Sequence, residues 1–322
     1  MRSIISEGYK QDHGDNLLKE HLKIIAKGFG MGAADVVPGV SGGTMALIFG
    51  IYPRLINAIK SFDTDWIKGI FKFDLEVILH RPHFTFLIPL FAGIFAAILF
   101  FTRIVPLPVL IHTHPEIIYG IFFGLILGSV LVLMKETGSW TFKEFRFVIA
   151  GVAIGHLIFN MVPMETPDAS WFIFFSGAVA ISAMILPGIS GSFILLMLKK
   201  YAYIFNAIGH FNFAVIIPFA IGMITGLVLF SRVLSWLLKS WYQETLSTII
   251  GLLVASLWVI WPFQERIYET IRGKERLLDS NAYIPQQINA TVGTSIVMMI
   301  VGLLLVLILH HYSAAKSLPE EQ

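Results

Sequence analysis

The sequence predicts an all-α polytopic membrane protein with two inverted repeats, each a re-entrant broken-helix hairpin plus three transmembrane helices. Three observations support this prediction. Hydrophobic residues make up 56% of the 322 residues and charged residues only 14%, which is typical of a chain that crosses a membrane several times. A Pro-Gly-x-Ser-Gly motif occurs twice inside long apolar runs. Lysine and arginine flank the first motif on both sides, and their distribution predicts topology.

The first repeat is expected to occupy residues 24–163. Residues 1–23 are polar and predict a cytoplasmic N-terminal arm. Residues 24–59 are apolar but interrupted at Pro38-Gly39, where proline removes a backbone donor and glycine permits unusual backbone angles. This pattern predicts a re-entrant hairpin. The spans that follow are predicted at 84–105, 115–134 and 147–163.

The second repeat is expected to occupy residues 171–312. Its hairpin, 171–208, is interrupted at Pro187-Gly188. The loop before it, 164–170, contains acidic but no basic residues and is expected to be exterior. The spans are predicted at 213–238, 245–262 and 292–311, with a polar, charged loop at 263–290 and a C-terminal tail at 313–322.

Matching residues at constant spacing indicate that the repeat is a real duplication. An offset of 149 residues aligns the two motifs, including the proline, both glycines and the serine. An offset of 129 aligns Arg103 with Arg232, together with Pro89, Gly93 and Phe101 with Pro218, Gly222 and Phe230. Shared Pro and Arg in one order are unlike chance matching of apolar sequence.

Charge predicts that the repeats are inverted. The arm before residue 24 and the segment 60–83 are both rich in Lys and Arg, so both are expected in the cytoplasm. Segment 24–59 must then return to the side from which it entered, and three crossings per repeat invert the second copy. Both chain termini are then cytoplasmic. One observation favours the alternative that 171–208 crosses once, because the inverted arrangement leaves Lys199, Lys200 and the basic residues of 263–290 outside.

The two helix breaks are the predicted substrate site. Broken backbone at membrane depth is tolerated only where it is buried in protein or lines a cavity. A helix N-terminus presents unpaired N–H groups and partial positive charge, which suit a phosphate. The alternative is that glycine and serine only allow close helix packing. The predicted phosphate-binding residues at the breaks are Ser41, Gly42, Gly43, Thr44, Ser190, Gly191 and Ser192.

Charged residues in the apolar runs are further candidates. Arg103 and Arg232 occupy matching positions near span ends, where a guanidinium holds a phosphate by two hydrogen bonds or extends to the headgroups. Asp35 precedes the first break and is a candidate for proton or sodium coupling, or a helix cap. His156 and Asn160 are four residues apart, as secondary polar contacts or a packing pair.

Other residues predict no catalytic or metal chemistry. The chain has no cysteine, and neither a carboxylate nor a cysteine completes a recognisable metal-binding set with His112 and His114. No cofactor, metal or nucleic acid is expected, and a homo-oligomer is left open. Arg54, beside Pro53, is expected to anchor a hairpin end at the membrane interface.

The stretch from Gly32 to Thr44, with Leu186-Pro187-Gly188-Ile189-Ser190-Gly191-Ser192, resembles the bacterial polyprenyl-phosphate transporters of the PopT type. The resemblance covers roughly residues 20–312. It implies a bacterial inner-membrane protein that returns undecaprenyl phosphate from the outer to the cytoplasmic leaflet, recycling the lipid carrier of cell-wall and surface-polymer synthesis.

A weaker likeness gives the competing hypothesis. Undecaprenyl-pyrophosphate phosphatases also have inverted repeats and re-entrant hairpins, with a Pro-Gly-x-Ser-Arg-Ser-Gly run and paired glutamates. Here Gly191 follows Ser190 in place of the arginine, and only Asp35 precedes the first motif. A hydrolase needs a base or nucleophile and cations for the leaving group. The sequence therefore favours a non-enzymatic transporter of the lipid phosphate, working by alternating access, with a small-ion transporter as a third hypothesis.

Overall fold

The protein is helical almost throughout in the computed structural model, which describes residues 2–37, 40–105, 107–138, 140–161, 166–271 and 274–315. The helices are α1 (Arg2–Asp35), α2 (Gly42–Ile48), α3 (Tyr52–Lys60), α4 (Thr64–Phe71), α5 (Leu75–His80), α6 (Phe84–Leu99), α7 (Leu107–Thr113), α8 (Pro115–Glu136), α9 (Phe142–Phe159), α10 (Ser170–Ile185), α11 (Gly191–Met197), α12 (Tyr201–Gly209), α13 (Phe213–Ser240), α14 (Tyr242–Val259) and α15 (Ala290–Ala315). A π-helical turn, Phe100–Ile104, extends α6.

Within the described residues, five helices are long and apolar enough to cross a membrane, so this is a multi-pass membrane protein. They are Phe84–Ile104, Pro115–Lys135, Phe213–Ser240, Tyr242–Val259 and Ala290–His311. Each overlaps a span expected from the sequence. The sixth expected span, 147–163, corresponds to α9, which is not among the five. Helix α9 begins earlier than expected and carries Lys143, Glu144 and Arg146 near its N-terminus.

The expectation that 263–290 is only a loop was wrong. Two antiparallel strands lie there, β1 (Gln264–Ile271) and β2 (Lys274–Ala282), paired from Gln264 with Ala282 to Ile271 with Lys274. A bulge interrupts the ladder between Ile267 and Tyr268. The polar composition correctly excluded a membrane span, but it does not distinguish a loop from a solvated β-hairpin, because both satisfy their backbone outside the hydrocarbon.

Proline explains where the second broken segment begins. Helix α10 ends at Ile185, and Leu186 is extended with φ −68° and ψ 128°, the conformation that a following proline favours. Gly188 then takes φ +88°, a left-handed conformation that other residues avoid. The chain re-enters a helix at Gly191 after this turn. The corresponding break at Pro38-Gly39 lies outside the described residues.

The longer helices associate as four parallel pairs: α1 with α6, α10 with α13, α8 with α15, and α9 with α14. The direction follows from contacts along each pair. Gly120 of α8 faces Ser295 of α15, and Gly128 further along α8 faces Leu303. Residue numbers therefore rise together on both helices, and the glycine contacts of the other three pairs show the same trend.

The two halves of the chain use the same glycine contacts. Gly28 of α1 lies against the carbonyl of Leu90 in α6. Gly177 and Phe219, which follow these residues by 149 and 129 positions, make the same contact between α10 and α13. One packing scheme thus occurs twice.

The remaining pairs also match, but each joins one helix from each half of the chain. Gly124 of α8 lies against the carbonyl of Met299 in α15. Gly251 of α14 follows Gly124 by 127 positions and is its counterpart in the second repeat. It lies against Val148 of α9. The two halves therefore hold each other by exchanging equivalent contacts.

These contacts make a stability prediction. A Cβ on Gly124 would lie 1.9 Å from the Met299 carbonyl oxygen, so Gly124→Ala should force α8 away from α15. We expect a loss of about 1–3 kcal/mol of folding free energy from overpacking. Thermal unfolding of the purified protein in detergent measures it. Gly293→Ala is the matched control, because nothing lies within 4 Å of that position and alanine favours helix. Equal unfolding temperatures for the two variants would contradict the packing argument.

Candidate functional site

The first tip is the turn between α1 and α2, and it is closed by the protein's own polar groups. Asp35 is the last residue of α1, and its Oδ1 accepts a hydrogen bond from the Gly42 N–H at 2.7 Å. Ser41 caps α2 by accepting from the Gly43 N–H at 3.2 Å. Ser41 and Thr44 are buried. A carboxylate and a serine hydroxyl therefore occupy the first amides of α2.

The second tip is the turn between α10 and α11, and it lies directly against the first. The Thr44 hydroxyl accepts a hydrogen bond from the Gly188 N–H at 2.9 Å. The Tyr52 hydroxyl donates to the Ile185 carbonyl at 3.0 Å, and Ser41 donates to the Met184 carbonyl at 3.4 Å. The contacts made by Ser41 and Thr44 join residues 143 and 144 positions apart, so the two motifs lie against each other.

The second tip is more open than the first. Ser190 precedes α11 but makes no side-chain cap to it, and its hydroxyl instead shares a 2.8 Å hydrogen bond with the Ser192 hydroxyl. Ser190 is half-buried and Ser192 is exposed. The counterpart of Asp35 is Met184, which has no carboxylate to offer the Gly191 N–H. The two tips therefore share a backbone plan but differ in capping.

The two arginines lie outside this cluster of contacts. Arg103 is exposed in the π-helical turn after α6, and Arg232 is half-buried in α13. In the part of the chain that the structure describes, neither guanidinium has a hydrogen bond or an ion pair. The contacts do not link either arginine to a tip.

His156 and Asn160 form a contact pair at the end of α9. The Asn160 amide lies 3.1 Å from His156 Nδ1 and donates to the His156 carbonyl at 2.8 Å. Between them, Phe159 packs edge-on against Phe193, the residue after Ser192, with ring centroids 5.8 Å apart. The pair thus lies on the helix end that packs beside the second tip, with its polar groups satisfied locally.

An open apolar groove of about 400 Å³ borders the second tip. Its walls come from α9, α10, α11 and α13, and include Ile158, Val179, Leu186, Ile189, Ile194 and Phe230. Among the described residues that line it, Ser182 alone carries a hydroxyl, which donates to the Ala178 carbonyl within α10. The groove therefore offers apolar surface alone.

The equivalent space beside the first tip is filled. Gly30 is the counterpart of Val179, and the Phe49 ring lies so close that a Cβ on Gly30 would be 2.5 Å from it. The Phe49 carbonyl accepts a hydrogen bond from Lys27 at 2.8 Å, which holds the end of α2 against α1. The structure is therefore asymmetric, with an open groove beside one tip and a closed one beside the other.

The whole constellation falls within one family match. A family described as VCA0040-like, undecaprenyl phosphate translocase-like, matches residues 31–277, which include both tips and both arginines. The chain belongs to this family. It is 39% identical over 247 residues to a polyprenyl-phosphate transporter of Vibrio cholerae, covering 77% of this chain and 80% of that protein.

A second similar protein is also named a polyprenyl-phosphate transporter. The chain is 36% identical over 256 residues to a polyprenyl-phosphate transporter of Staphylococcus aureus, covering 74% of this chain and 85% of that protein. Both relatives are named transporters and neither is named an enzyme. The resemblance inferred from the motifs is confirmed. No solved structure matches the chain.

Lys200 is a structural residue that the sequence did not identify. It is 2% exposed, and its ammonium donates to the Thr166 carbonyl at 2.9 Å and to Asp168 Oδ1 at 2.5 Å. The rings of Phe172 and Tyr203 lie 5.8 and 5.3 Å from the same nitrogen. These contacts anchor the segment before α10 to the start of α12, so this lysine is paired rather than free.

The sequence also did not identify the individual contacts between the two tips. Tyr52 is 1% exposed and carries a hydroxyl, so a buried partner was required. That requirement is readable from an apolar context, but the partner carbonyl of Ile185 is 133 residues away and only the fold identifies it. The open groove had no sequence signal, because its walls are ordinary apolar residues.

The Thr44 contact gives a second prediction. Thr44→Val keeps the shape but leaves the buried Gly188 N–H without its acceptor, at a cost of about 1–3 kcal/mol. We expect a lower thermal unfolding temperature for the purified protein in detergent. Thr225→Val is the control, since the Thr225 hydroxyl bonds only the Ile221 carbonyl of its own helix at 2.8 Å. If the two variants lost equal stability, the bridge between the tips would have no special role.

Proposed function

We propose that this protein moves undecaprenyl phosphate across the bacterial inner membrane and so returns the lipid carrier for cell-wall and surface-polymer synthesis. The observation that carries the proposal is the family match over both tips, together with relatives named for polyprenyl-phosphate transport. Substrate, compartment and direction follow from the resemblance. Geometry adds a central polar contact between two broken helices, beside an apolar groove open at its edge.

The proposed topology is six crossings plus two opposed re-entrant hairpins, with both termini cytoplasmic. Parallel packing of α1 and α6 supports the first hairpin, because the chain between them must return to the side on which α1 began. Parallel packing of α10 and α13 supports the second hairpin. A single crossing by 171–208 would make α13 antiparallel to α10. The parallel pairs α8 with α15 and α9 with α14 also fit the inverted arrangement.

Lys200 is one of the residues that argue against this topology, because the positive-inside rule counts Lys and Arg and gives acidic residues little weight. Its ammonium is buried and ion-paired with Asp168, which accommodates the charge in the folded protein but does not remove the charge argument. Arg266, Lys274 and Arg276 lie in the β-hairpin of β1 and β2 and argue in the same direction. Labelling of that hairpin from each side of the membrane tests the assignment.

We propose that the lipid phosphate binds at the second tip in this conformation. Ser190, Gly191 and Ser192 lie at the N-terminus of α11, where the carboxylate present at the first tip has no counterpart. The Ser190–Ser192 hydrogen bond is easily exchanged for bonds to an anion, since each hydroxyl both donates and accepts. In the opposite conformation, Ser41, Gly42, Gly43 and Thr44 would have this role.

In this proposal, Asp35 determines when the Gly42 N–H can bind the phosphate. Its carboxylate competes directly with a phosphate for the Gly42 N–H. A proton or a sodium ion on Asp35 would weaken that bond and free the amide. Coupling through Asp35 would therefore act by releasing an internal substitute for the substrate, rather than by a separate ion site.

The arginines complete the polar path in this proposal. Moving a bare phosphate through about 30 Å of hydrocarbon is prohibitive because its hydration is lost. The guanidinium groups of Arg103 and Arg232, which have no partner among the described residues, are available to replace part of that hydration near each span end. In the inverted topology the two arginines face opposite sides, so each serves one leaflet.

Loss of these groups should slow transport. We expect Arg103→Ala, Arg232→Ala and the double change Ser190→Ala with Ser192→Ala each to slow transport of undecaprenyl phosphate by about tenfold or more, the equivalent of one lost charge-assisted hydrogen bond. Leaflet-resolved detection of the lipid in proteoliposomes measures this.

Two matched controls make the result specific. Arg146→Ala removes an exposed arginine that lies over the Phe142 ring at 5.6 Å, away from both tips. Ser182→Ala removes a hydroxyl that bonds only its own helix. Normal transport by the arginine variants would refute their role. Phosphate release from undecaprenyl pyrophosphate would favour a phosphatase, and flux of a soluble ion without lipid would favour an ion transporter.

The groove is proposed to hold the first isoprenoid units of the substrate while the phosphate is at the second tip. Filling it with Val179→Trp should reduce transport of undecaprenyl phosphate several-fold in the same assay, because the tail can no longer lie beside the phosphate. Val233→Trp is the control, since Val233 is an exposed residue of α13 on the outer surface. Unchanged transport by Val179→Trp would exclude the groove from the path.

A further inference from the structure

The first repeat carries an insertion that the second lacks. Phe62 corresponds to Phe211, and His83 corresponds to Asn212, so residues 63–82 have no counterpart. These residues form the helical hairpin α4–α5. Any function of this hairpin therefore belongs to one end of the molecule only, in contrast to the duplicated tips.

The α4–α5 hairpin is a built structure rather than a loose loop. Arg81 donates to both oxygens of Asp63 at 2.8 and 2.6 Å and to Asp65 at 2.9 Å. The Trp66 indole donates to the Ile78 carbonyl at 3.2 Å. Hydrogen bonds from Arg81 lower the pKa of Asp63 to about 2. The ion pair between Asp63 and Arg81 therefore stays ionised at any physiological pH.

The turn of the hairpin presents large apolar side chains on the surface of the molecule. Phe71 is 81% exposed, Phe73 87% and Leu75 69%, with Leu79 further along at 58%. Lys68 and Lys72 accompany them. Apolar side chains mixed with basic ones are typical of a helical segment lying in the membrane interface. The predicted cytoplasmic position of 60–83 is consistent with this, because anionic lipid attracts such segments.

A polar pocket of about 290 Å³ lies where the hairpin joins α6. Its lining includes Arg54, His80, His83 and Thr85, with Leu79 on the side of the apolar turn. Among the described residues, neither the His80 imidazole nor the His83 imidazole has a hydrogen-bond partner. The pocket is thus lined by three basic side chains and opens beside an apolar surface.

The Arg54 guanidinium is held in place by two contacts that leave some of its hydrogen-bond donors without a partner among the described residues. Its guanidinium lies over the Phe86 ring at 4.6 Å, and one nitrogen bonds Glu20 at 3.2 Å. The remaining donors are available for a ligand. Lys23 and Lys27 add positive charge near Arg54, and Asp63 and Asp65 of the hairpin are bound by Arg81.

The second repeat has no equivalent of this pocket. Tyr203 stands at the position of Arg54 and Asn212 at that of His83, while His80 lies in the insertion. All three basic groups are thus confined to the first repeat. A phosphate would meet them at one membrane face only.

We propose that this pocket binds the phosphate headgroup of an anionic lipid at the membrane interface. The occupant is a phosphomonoester on a lipid, because the pocket combines bidentate guanidinium and imidazole donors with an adjacent apolar edge for an acyl or isoprenoid chain. The site is separate from the two tips, and its binding does not depend on whether the protein transports its ligand.

The test measures lipid retention by the purified full chain with native mass spectrometry. The probes are dioleoyl phosphatidic acid, undecaprenyl phosphate and dioleoyl phosphatidylglycerol, a phosphodiester. The triple change Arg54→Gln, His80→Gln and His83→Gln should weaken retention of both phosphomonoester lipids by about tenfold, since charge-assisted hydrogen bonds are lost. The phosphodiester should be retained less than either monoester by the unaltered protein.

Three comparisons keep the proposal falsifiable. Arg146→Gln removes an arginine outside the pocket lining, over the Phe142 ring, and should leave retention unchanged. An Arg232→Ala background removes a proposed residue of the transport path, so the loss caused by the triple change should persist there. The double change His80→Gln with His83→Gln keeps the Arg54–Glu20 contact and guards against misfolding.

Two results would overturn the proposal. The first is equal lipid retention by the unaltered protein and the triple variant. The second is displacement of the lipid by inorganic phosphate at the same concentration as by phosphatidic acid, which would identify a soluble anion as the ligand. Weak competition by inorganic phosphate, at concentrations at least about a hundredfold higher, is the expected outcome, because the lipid chain adds apolar burial.

Discussion

Backbone polar groups have no water to bind inside a membrane, and this constraint governs the centre of the molecule. Two helices stop there, and each leaves amides and carbonyls that need partners. The protein satisfies them largely with its other half: Thr44 accepts from the Gly188 amide, and Tyr52 donates to the Ile185 carbonyl. Removing one broken segment would leave the other with unsatisfied buried groups. The two breaks are therefore stable as a pair.

The four parallel helix pairs hold this pair of breaks in register. Glycines bring the backbones into direct contact, as where Gly151 of α9 meets Gly251 of α14. Close backbone packing replaces the hydrophobic drive that is missing between helices in lipid. Because two of the pairs join the halves of the chain, relative movement of the halves must work against these contacts. Rocking of one half against the other would then be a change between discrete packings rather than a gradual slide.

The two halves of the chain differ at a few corresponding positions. Asp35 caps the first tip and Met184 stands at its counterpart, while Phe49 fills a space that stays open beside Val179. The α4–α5 hairpin and its basic pocket exist only in the first repeat. The two halves therefore share a packing scheme but differ in the groups that surround the tips and the membrane interface.

The sequence alone determined the membrane class, the five long spans, the break at Pro187-Gly188 and the family, because hydropathy, proline and the paired motif are local signals. Local signals did not distinguish a β-hairpin from a loop at 263–290, or identify Lys200 as a buried, paired cation. The partners of Thr44 and Tyr52, the parallel pairing of helices and the open groove depend on contacts between residues more than 40 positions apart. Such contacts are decided by packing, which the order of residue types along the chain does not record.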